Sequence, residues 1–447
     1  MIEKYYFKGK TYQLINQQVI EPNENVFSIL VGKNGTGKSS FLEALTNEFY
    51  HQYENMRNDR LFDFNRKSIK SFFPREVIAV STSPFDKFPL SKLHQNINGY
   101  TYLGLRDLPS ANFGIAYLSK IIASLINSIL NEPKQAIEIS KVLDYLGYND
   151  TIEIRFHSNT LHKMLDEILT TENLEEIFET RRFSSYRRFN KSYFFNDDET
   201  LNYDKLRHLK IVAERIKKDD LKTYFFITID KDGLDKNFRY DYLNDDVLFL
   251  ILSGFLRLRN VRLQSKEGGR TFSMKNASSG EQSIIIGILG IASKIKDNSL
   301  ICIDEPELCL HPQWQERYIQ ILTKTFSTYR NCHFIIATHS PQIISKLSEV
   351  NSFIIDMETG ITKNASEFID HSADYQLAKI FNSPGFKNEY LSRLAFSIIS
   401  KVGKSKKFDE EDISNYNIIH NQMKNLEKTD PLFSLYDLIT ELKVKYA

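Results

Sequence analysis

Tyr, Phe, Val and Ile crowd the first 20 residues around Lys8-Gly9-Lys10, which predicts two short strands joined by a tight turn. An unbroken apolar run, Val26-Phe-Ser-Ile-Leu-Val31, ends in a glycine-rich stretch, and a helical pattern follows from Ser39 to Phe49. Strand, loop, helix is the order a phosphate-binding unit requires. A further strand is predicted at Val77 to Val80, ahead of Ser83-Pro-Phe-Asp-Lys-Phe-Pro89. From about Ala111 to Lys218 the pattern changes: Leu and Ile recur at three- and four-residue spacing, glycine is scarce and charges are frequent. That pattern predicts a mostly helical insertion, with a polar loop around Arg181 to Thr200. Strands return at Thr223 to Ile229 and Phe238 to Tyr242, a hairpin turning on Asp230-Lys-Asp-Gly233.

A helix is then predicted after Gly280, a strand at Leu300 to Ile303 and a helix from Pro312 to Phe326. Next come a strand at His333 to Ala337, a helix from Pro341 and a strand at Ser352 to Ile355. Alternating strands and helices imply an α/β fold with a mixed, largely parallel sheet. From Asp374 to Ala447 the pattern is helical and charged. The expected organisation is a first lobe over 1–90, the insertion over 91–220, a second lobe over 221–356 and a helical C-terminal region over 357–447 suited to docking a partner.

Charge narrows the function. Among 447 residues, 58 Lys and Arg face 57 Asp and Glu, so nucleic acid would have to be met by a local patch. The longest apolar run, Val247 to Leu252, is far shorter than the ~20 residues a membrane helix needs. The N-terminus lacks the apolar stretch of a secretory signal. Three cysteines make no disulfide framework and have no metal-ligand spacing. The expectation is a cytoplasmic protein without a membrane partner.

Four segments carry chemistry. Gly32-Lys33-Asn34-Gly35-Thr36-Gly37-Lys38-Ser39, continued by Ser40, fits G-x-x-x-x-G-K-[ST]. Its glycines let backbone N–H groups approach phosphate oxygens, Lys38 reaches the β- and γ-phosphates, and the Ser39 hydroxyl ligates Mg²⁺. The helix beginning there adds its positive end. The apolar strand Leu300-Ile-Cys-Ile-Asp304-Glu305 places two carboxylates at the carboxyl edge of the sheet, Asp304 for Mg²⁺ and Glu305 to polarise the attacking water. Ser279-Gly280-Glu281-Gln282 opens an apolar helix, where Ser279 is either simply a cap with Gln282 as capping-box partner, or a cap that also binds phosphate. Phe334 to Ala337 is a strand with His339 just past its end, and Pro341 starts the next helix.

In this order the four segments resemble the ABC-type ATPases, and more closely their non-transporter branch, which holds the SMC, RecF and overcoming-lysogenisation-defect families. The resemblance spans roughly residues 1–90 and 220–356. It implies an ABC-ATPase head binding ATP and Mg²⁺, with Gly32 to Ser39 as Walker A and Leu300 to Glu305 as Walker B. It makes Ser279 to Gln282 the signature and His339 the switch histidine that contacts the γ-phosphate. It also implies a homodimer, or a higher even homo-oligomer, in which the signature of one copy completes the Walker site of the other. Glu281 departs from the family's second signature glycine. No clear Q-loop is present, with Gln95 near its expected place.

The insertion is too short for a tethering coiled coil and lacks sustained heptads. The C-terminal stretch reads as helices, and Asp409-Glu-Glu-Asp412 as a charged helix start, so no Toprim nuclease is expected. Size, the Ser-Pro-Phe-Asp-Lys-Phe-Pro segment and the short tail resemble the ATPase subunits of Septu anti-phage systems, which implies an HNH endonuclease partner. Rival readings are a nucleotide-gated scaffold holding a Toprim effector, as in PARIS, and a RecF-like repair ATPase. Arg181 to Lys191 interleaves cations with aromatics, a candidate contact for DNA or RNA, and Arg257, Arg259 and Arg262 form a second basic cluster. Tyr390, Phe396 and Tyr436 suit either a core or a partner surface.

Overall fold

In a computed structural model of the chain, the described residues are 1–16, 21, 23–57, 73–90, 99–106, 113–157, 161–171, 190–196, 200–218, 224–235 and 243–447. Strands β1 (Lys4–Phe7) and β2 (Lys10–Gln13) form the expected hairpin, turning through Lys8 and Gly9 at positive φ. The rings of Tyr5, Phe7 and Tyr12 stand edge-on around Phe41 of helix α1 (Lys38–Arg57), which fastens the hairpin over that helix.

The main sheet has seven strands in the order β14-β13-β3-β12-β11-β4-β5. They are β3 (Val26–Val31), β4 (Val77–Ser81), β5 (Tyr100–Leu103), β11 (Leu300–Asp304), β12 (His333–Ala337), β13 (Ser352–Asp356) and β14 (Thr362–Asn364). Every pairing is parallel except β13 with β14. Helices cover both faces, so these strands are apolar almost without interruption. Alternate residues feed two cores: Leu300 and Cys302 pack with Phe41 and Phe49, while Ile301 and Ile303 pack with the insertion. The register aligns Leu30, Ala337, Asp304 and Ser81, which brings the carboxyl ends of β3, β12, β11 and β4 to one edge.

Helices dominate the described part of the insertion: α2 (Phe113–Asn131), α3 (Gln135–Tyr145), α4 (Leu161–Thr170) and α5 (Tyr203–Lys218). Between α3 and α4, however, lies a ten-residue strand, β6 (Tyr148–His157). Ile152, Ile154 and Phe156 are buried while Glu153 is exposed, a period-two pattern that the helical texture on either side obscures. This strand is the middle of a second, antiparallel sheet, β10-β9-β6-β7-β8. Its other members are β7 (Tyr224–Asp230), β8 (Gly233–Leu234), β9 (Arg257–Ser265) and β10 (Thr271–Ser273). The turn at Asp230 to Gly233 is as expected, whereas Phe238 to Tyr242 lies outside the described residues. Gly114–Asn131 of α2 is long and apolar enough to cross a membrane by length and composition. Here it packs on helices α6 (Leu243–Leu252) and α7 (Ser279–Ala292), with Ile121, Ile122, Leu125 and Ile126 fully buried.

Helices α8 (Pro312–Thr325) and α9 (Pro341–Ser345) complete the second lobe. Beyond it, α10 (Ala373–Lys379), α11 (Glu389–Ser405), α12 (Glu410–Gln422) and α13 (Leu432–Tyr446) share a core of their own around Leu391, Ile398, Ile419 and Ile439. Asp409 caps α12 in a capping box with Asp412, so the acidic run is a helix start. Tyr390 packs edge-on against Tyr375, and Tyr436 stacks on Tyr416, while Phe396 is 59% exposed.

Candidate functional site

The loop between β3 and α1 bends where its glycines allow it. Gly32, Gly35 and Gly37 all have positive φ, and a Cβ on Gly32 would lie 2.9 Å from Thr36 Oγ1. Thr36 Oγ1 donates to the Lys33 carbonyl at 2.9 Å, closing the loop on itself. Lys38 folds back beneath it: its Nζ donates to the carbonyls of Gly32 (2.8 Å) and Lys33 (3.2 Å) and stands 3.4 Å from His339 Nδ1. Burial lowers the Lys38 pKa to about 8, against the opposing pull of Glu305, Glu307, Asp304 and Glu358.

Ser39 Oγ donates to Asp304 Oδ1 at 3.1 Å, joining the first segment to the second. Asp304 is 3% exposed, and burial raises its pKa to about 7; Glu305, Asp86 and Glu307 add repulsion, and the Ser39 hydrogen bond lowers it. Glu305 sits at a φ of 48°, with its N–H on the Ala337 carbonyl at 2.9 Å. This left-handed turn lifts its carboxylate off the strand to 3.9 Å from His339 Nε2. Burial, and then Lys38, lower the His339 pKa to about 4, so near neutral pH the ring is uncharged and its Nδ1 accepts from the lysine.

Glu307 was not foreseen. Its Oε1 accepts the His339 backbone N–H, its Oε2 is buried without a geometric hydrogen-bond partner among the described residues, and burial raises its pKa. The signal is the third carboxylate in Asp304-Glu-Pro-Glu307. Its value depends on a residue 32 positions away, which the sequence does not reveal.

The cap of α7 falls one residue earlier than expected. Ser278, not Ser279, is the N-cap: its Oγ accepts the Glu281 N–H, and Glu281 Oε2 accepts the Ser278 N–H at 2.9 Å. Glu281, not Gln282, is therefore the capping-box partner, and Gln282 instead donates to the Ala277 carbonyl at 3.0 Å. The box gives the departure at Glu281 a structural role. Ser279 becomes the first helical residue, and Gly280 lies so close to the Cys309 carbonyl that a Cβ would be 3.1 Å from it. None of the hydrogen bonds that Ser279 to Gln282 make among the described residues reaches the Gly32–Ser40 loop.

The donor set fits a magnesium-bound triphosphate. Hard oxygens from Ser39 and Asp304 meet at one point, and the Asp304 carboxylate, raised to about 7 by burial, has other acids as well as Lys38 for neighbours, a setting that a divalent cation would stabilise. Gln95 and the Arg181 to Phe189 part of the basic loop lie outside the described residues. Arg259 and Arg262 are exposed on β9, and the register of β6 against β9 shifts at the residue Arg259 occupies.

Residues 123–345 match the family described as "AAA domain, putative AbiEii toxin, Type IV TA system", a span holding the second, third and fourth segments but not the Gly32–Ser39 loop. The chain is 22% identical over 372 residues to the "Retron Ec83 probable ATPase" of Escherichia coli, covering 73% of this chain and 66% of that protein. It is also 22% identical over 391 residues to the "Retron Vc95 probable ATPase" of Vibrio cholerae, covering 77% of this chain and 72% of that one. The match thus spans about two thirds of the first relative's length. A crystal structure of an Smc head bound to the C-winged helix domain of ScpA aligns with 81% of this chain and 96% of its own, at 11% identity and a TM-score of 0.27.

Proposed function

We propose that this chain is an ATPase of a phage-defence assembly, which binds Mg²⁺-ATP on the Gly32–Ser40 loop, hydrolyses it and uses the cycle to govern a partner HNH endonuclease. One observation carries the reading. Lys38, Ser39, Asp304, Glu305 and His339 come from three segments far apart in sequence and meet at the carboxyl edge of one parallel sheet. The retron ATPases to which the chain is similar support the defence setting.

Ser39 and Asp304 would hold Mg²⁺, which when bound draws charge off the phosphate oxygens. Lys38 would exchange its two carbonyl partners for phosphate oxygens. Glu305 would take the proton from the attacking water as the water oxygen bonds to the γ-phosphorus and the bond to the ADP oxygen breaks. His339, neutral with Nδ1 turned to Lys38, leaves its Nε2–H free to donate to the γ-phosphoryl group. The signature residues Ser279, exposed at the start of α7, and Gly280, packed against the Cys309 backbone, would close over the nucleotide of a second copy.

Lys38→Ala should abolish nucleotide binding. Glu305→Gln should keep binding and slow turnover by about a hundredfold or more, measured as phosphate release under saturating Mg²⁺-ATP. Turnover by Glu305→Gln at the wild-type rate would remove Glu305 from the mechanism.

A further inference from the structure

The loop leaving β4 passes directly beside the Asp304 carboxylate. Strand β4 runs parallel to β11 with Ser81 opposite Asp304, and Thr82 Oγ1 donates to the Glu305 carbonyl at 3.4 Å. The next residues are held as a rigid mount. Asp86, 3% exposed, accepts the Phe88 N–H on Oδ1 (3.1 Å) and the Tyr102 hydroxyl on Oδ2 (2.6 Å). The Arg106 guanidinium donates to the carbonyls of Asp86 and Phe88, and the Phe88 ring lies in the core that holds Phe41 and Phe49. A buried carboxylate with this many partners fixes its neighbours.

From that mount the exposed Lys87 reaches back to the phosphate loop, where its Nζ donates to Ser40 Oγ at 3.0 Å. The contact has the wrong sign for a purely structural one. The N-terminal end of a helix carries partial positive charge and favours acidic neighbours. The first turn of the 20-residue α1 has no acid; it holds Lys38 and receives a second ammonium from Lys87. Among the described residues, the partner of that ammonium is a neutral hydroxyl, not a carboxylate. Two lysines and a helix dipole converging on one loop make sense when an anion of high charge sits between them.

We infer that Lys87 is a second nucleotide-binding lysine, which turns from Ser40 to a phosphate oxygen on the side of the cradle facing β4. The inference rests on the nucleotide-binding reading above. It adds a residue that approaches the polyphosphate from the β4 side, where the sequence offers no clear Q-loop.

The test is titration of the full chain with a fluorescent ATP analogue and Mg²⁺, at low and moderate salt, on wild type, Lys87→Ala, Lys87→Arg and Lys38→Ala. Lys87→Ala should bind about tenfold more weakly, with a shallower salt dependence, and Lys87→Arg should stay within about threefold of wild type. Both variants should melt at the wild-type temperature without nucleotide. If wild type binds, Lys38→Ala does not, and Lys87→Ala binds as wild type does, Lys87 is an ordinary surface lysine and the inference fails while the site stands. If Lys87→Ala and Lys87→Arg both lose binding and both melt early, the lysine is a loop support, and the inference again fails. Absence of binding by wild type itself would overturn the ATPase reading first and this one with it.

Discussion

Single residues show two kinds of legibility. Lys38, Ser39, Asp304 and Glu305 could be picked from the sequence because phosphate and metal chemistry demands those types at those spacings. Glu307 and His333 could not, because their work depends on contacts made by the fold. His333 is fully buried; its Nδ1 accepts the Ile2 N–H at 3.2 Å, so its proton sits on Nε2, 2.8 Å from Ser28 Oγ, which donates to the Leu14 carbonyl. Burial, and then the nearby N-terminal ammonium, lower its pKa from 6.5 to about 3. Between those values the unfolded chain holds a proton that the folded chain does not. This histidine's contribution is therefore complete above pH 6.5 and is lost as pH falls toward 3, at up to about 1.4 kcal/mol per pH unit. Urea unfolding at pH 7.5 and 5 should show His333→Gln less stable than wild type at the higher pH and less sensitive to the change. Identical pH sensitivity would contradict the buried neutral ring.

At the scale of elements, strands buried on both faces and capped helices were readable, since burial and capping impose local patterns. Failures came where a pattern was borrowed from its surroundings. Strand β6 lies hidden between helical stretches, and in β9 the arginines stand out more than the strand pattern does. Helix α7 starts one residue earlier than its sequence pattern suggests because Ser278 and Ser279 can both cap, and only the Glu281 side chain decides between them. Ser278→Ala should cost about 1 kcal/mol of stability, and Ser279→Ala much less, by denaturant unfolding. Glu281→Gly, which restores the residue usual in the resembling family, should destabilise by a similar ~1 kcal/mol through the lost reciprocal bond and the added backbone freedom. Equal costs for the two serines would put the cap back at Ser279.

For the whole molecule, the parallel sheet decides what can meet. Its register sets the ends of β3, β12, β11 and β4 side by side, while the C-terminal helices reach the same edge through Asn425, whose Oδ1 accepts from Lys33 Nζ at 3.2 Å. Lys33 also donates its backbone N–H to Glu358 Oε1 at 3.3 Å, so the tip of the phosphate loop is tied to the segment leading into the tail. The proposed dimerisation over nucleotide belongs to this scale. Glu305→Gln with Mg²⁺-ATP should double in mass by light scattering, and adding Ser279→Arg should prevent the doubling while nucleotide still binds. A mass unchanged by ATP would leave each copy to work alone.

Sequence alone determined the α/β architecture and singled out the loop, carboxylates and histidine that the sheet brings together, because strand burial and phosphate chemistry leave local signatures in residue type and spacing. Only the tertiary structure decided that Glu307 would hold the His339 backbone, that Lys87 would reach Ser40, that β6 would centre a second sheet and that α7 would begin at Ser278. Those outcomes turn on pairs of groups far apart in the chain, or on one side chain choosing between adjacent partners. Neither leaves a periodic trace, because the energy resides in contacts that exist only once the sheet has set its strands in register.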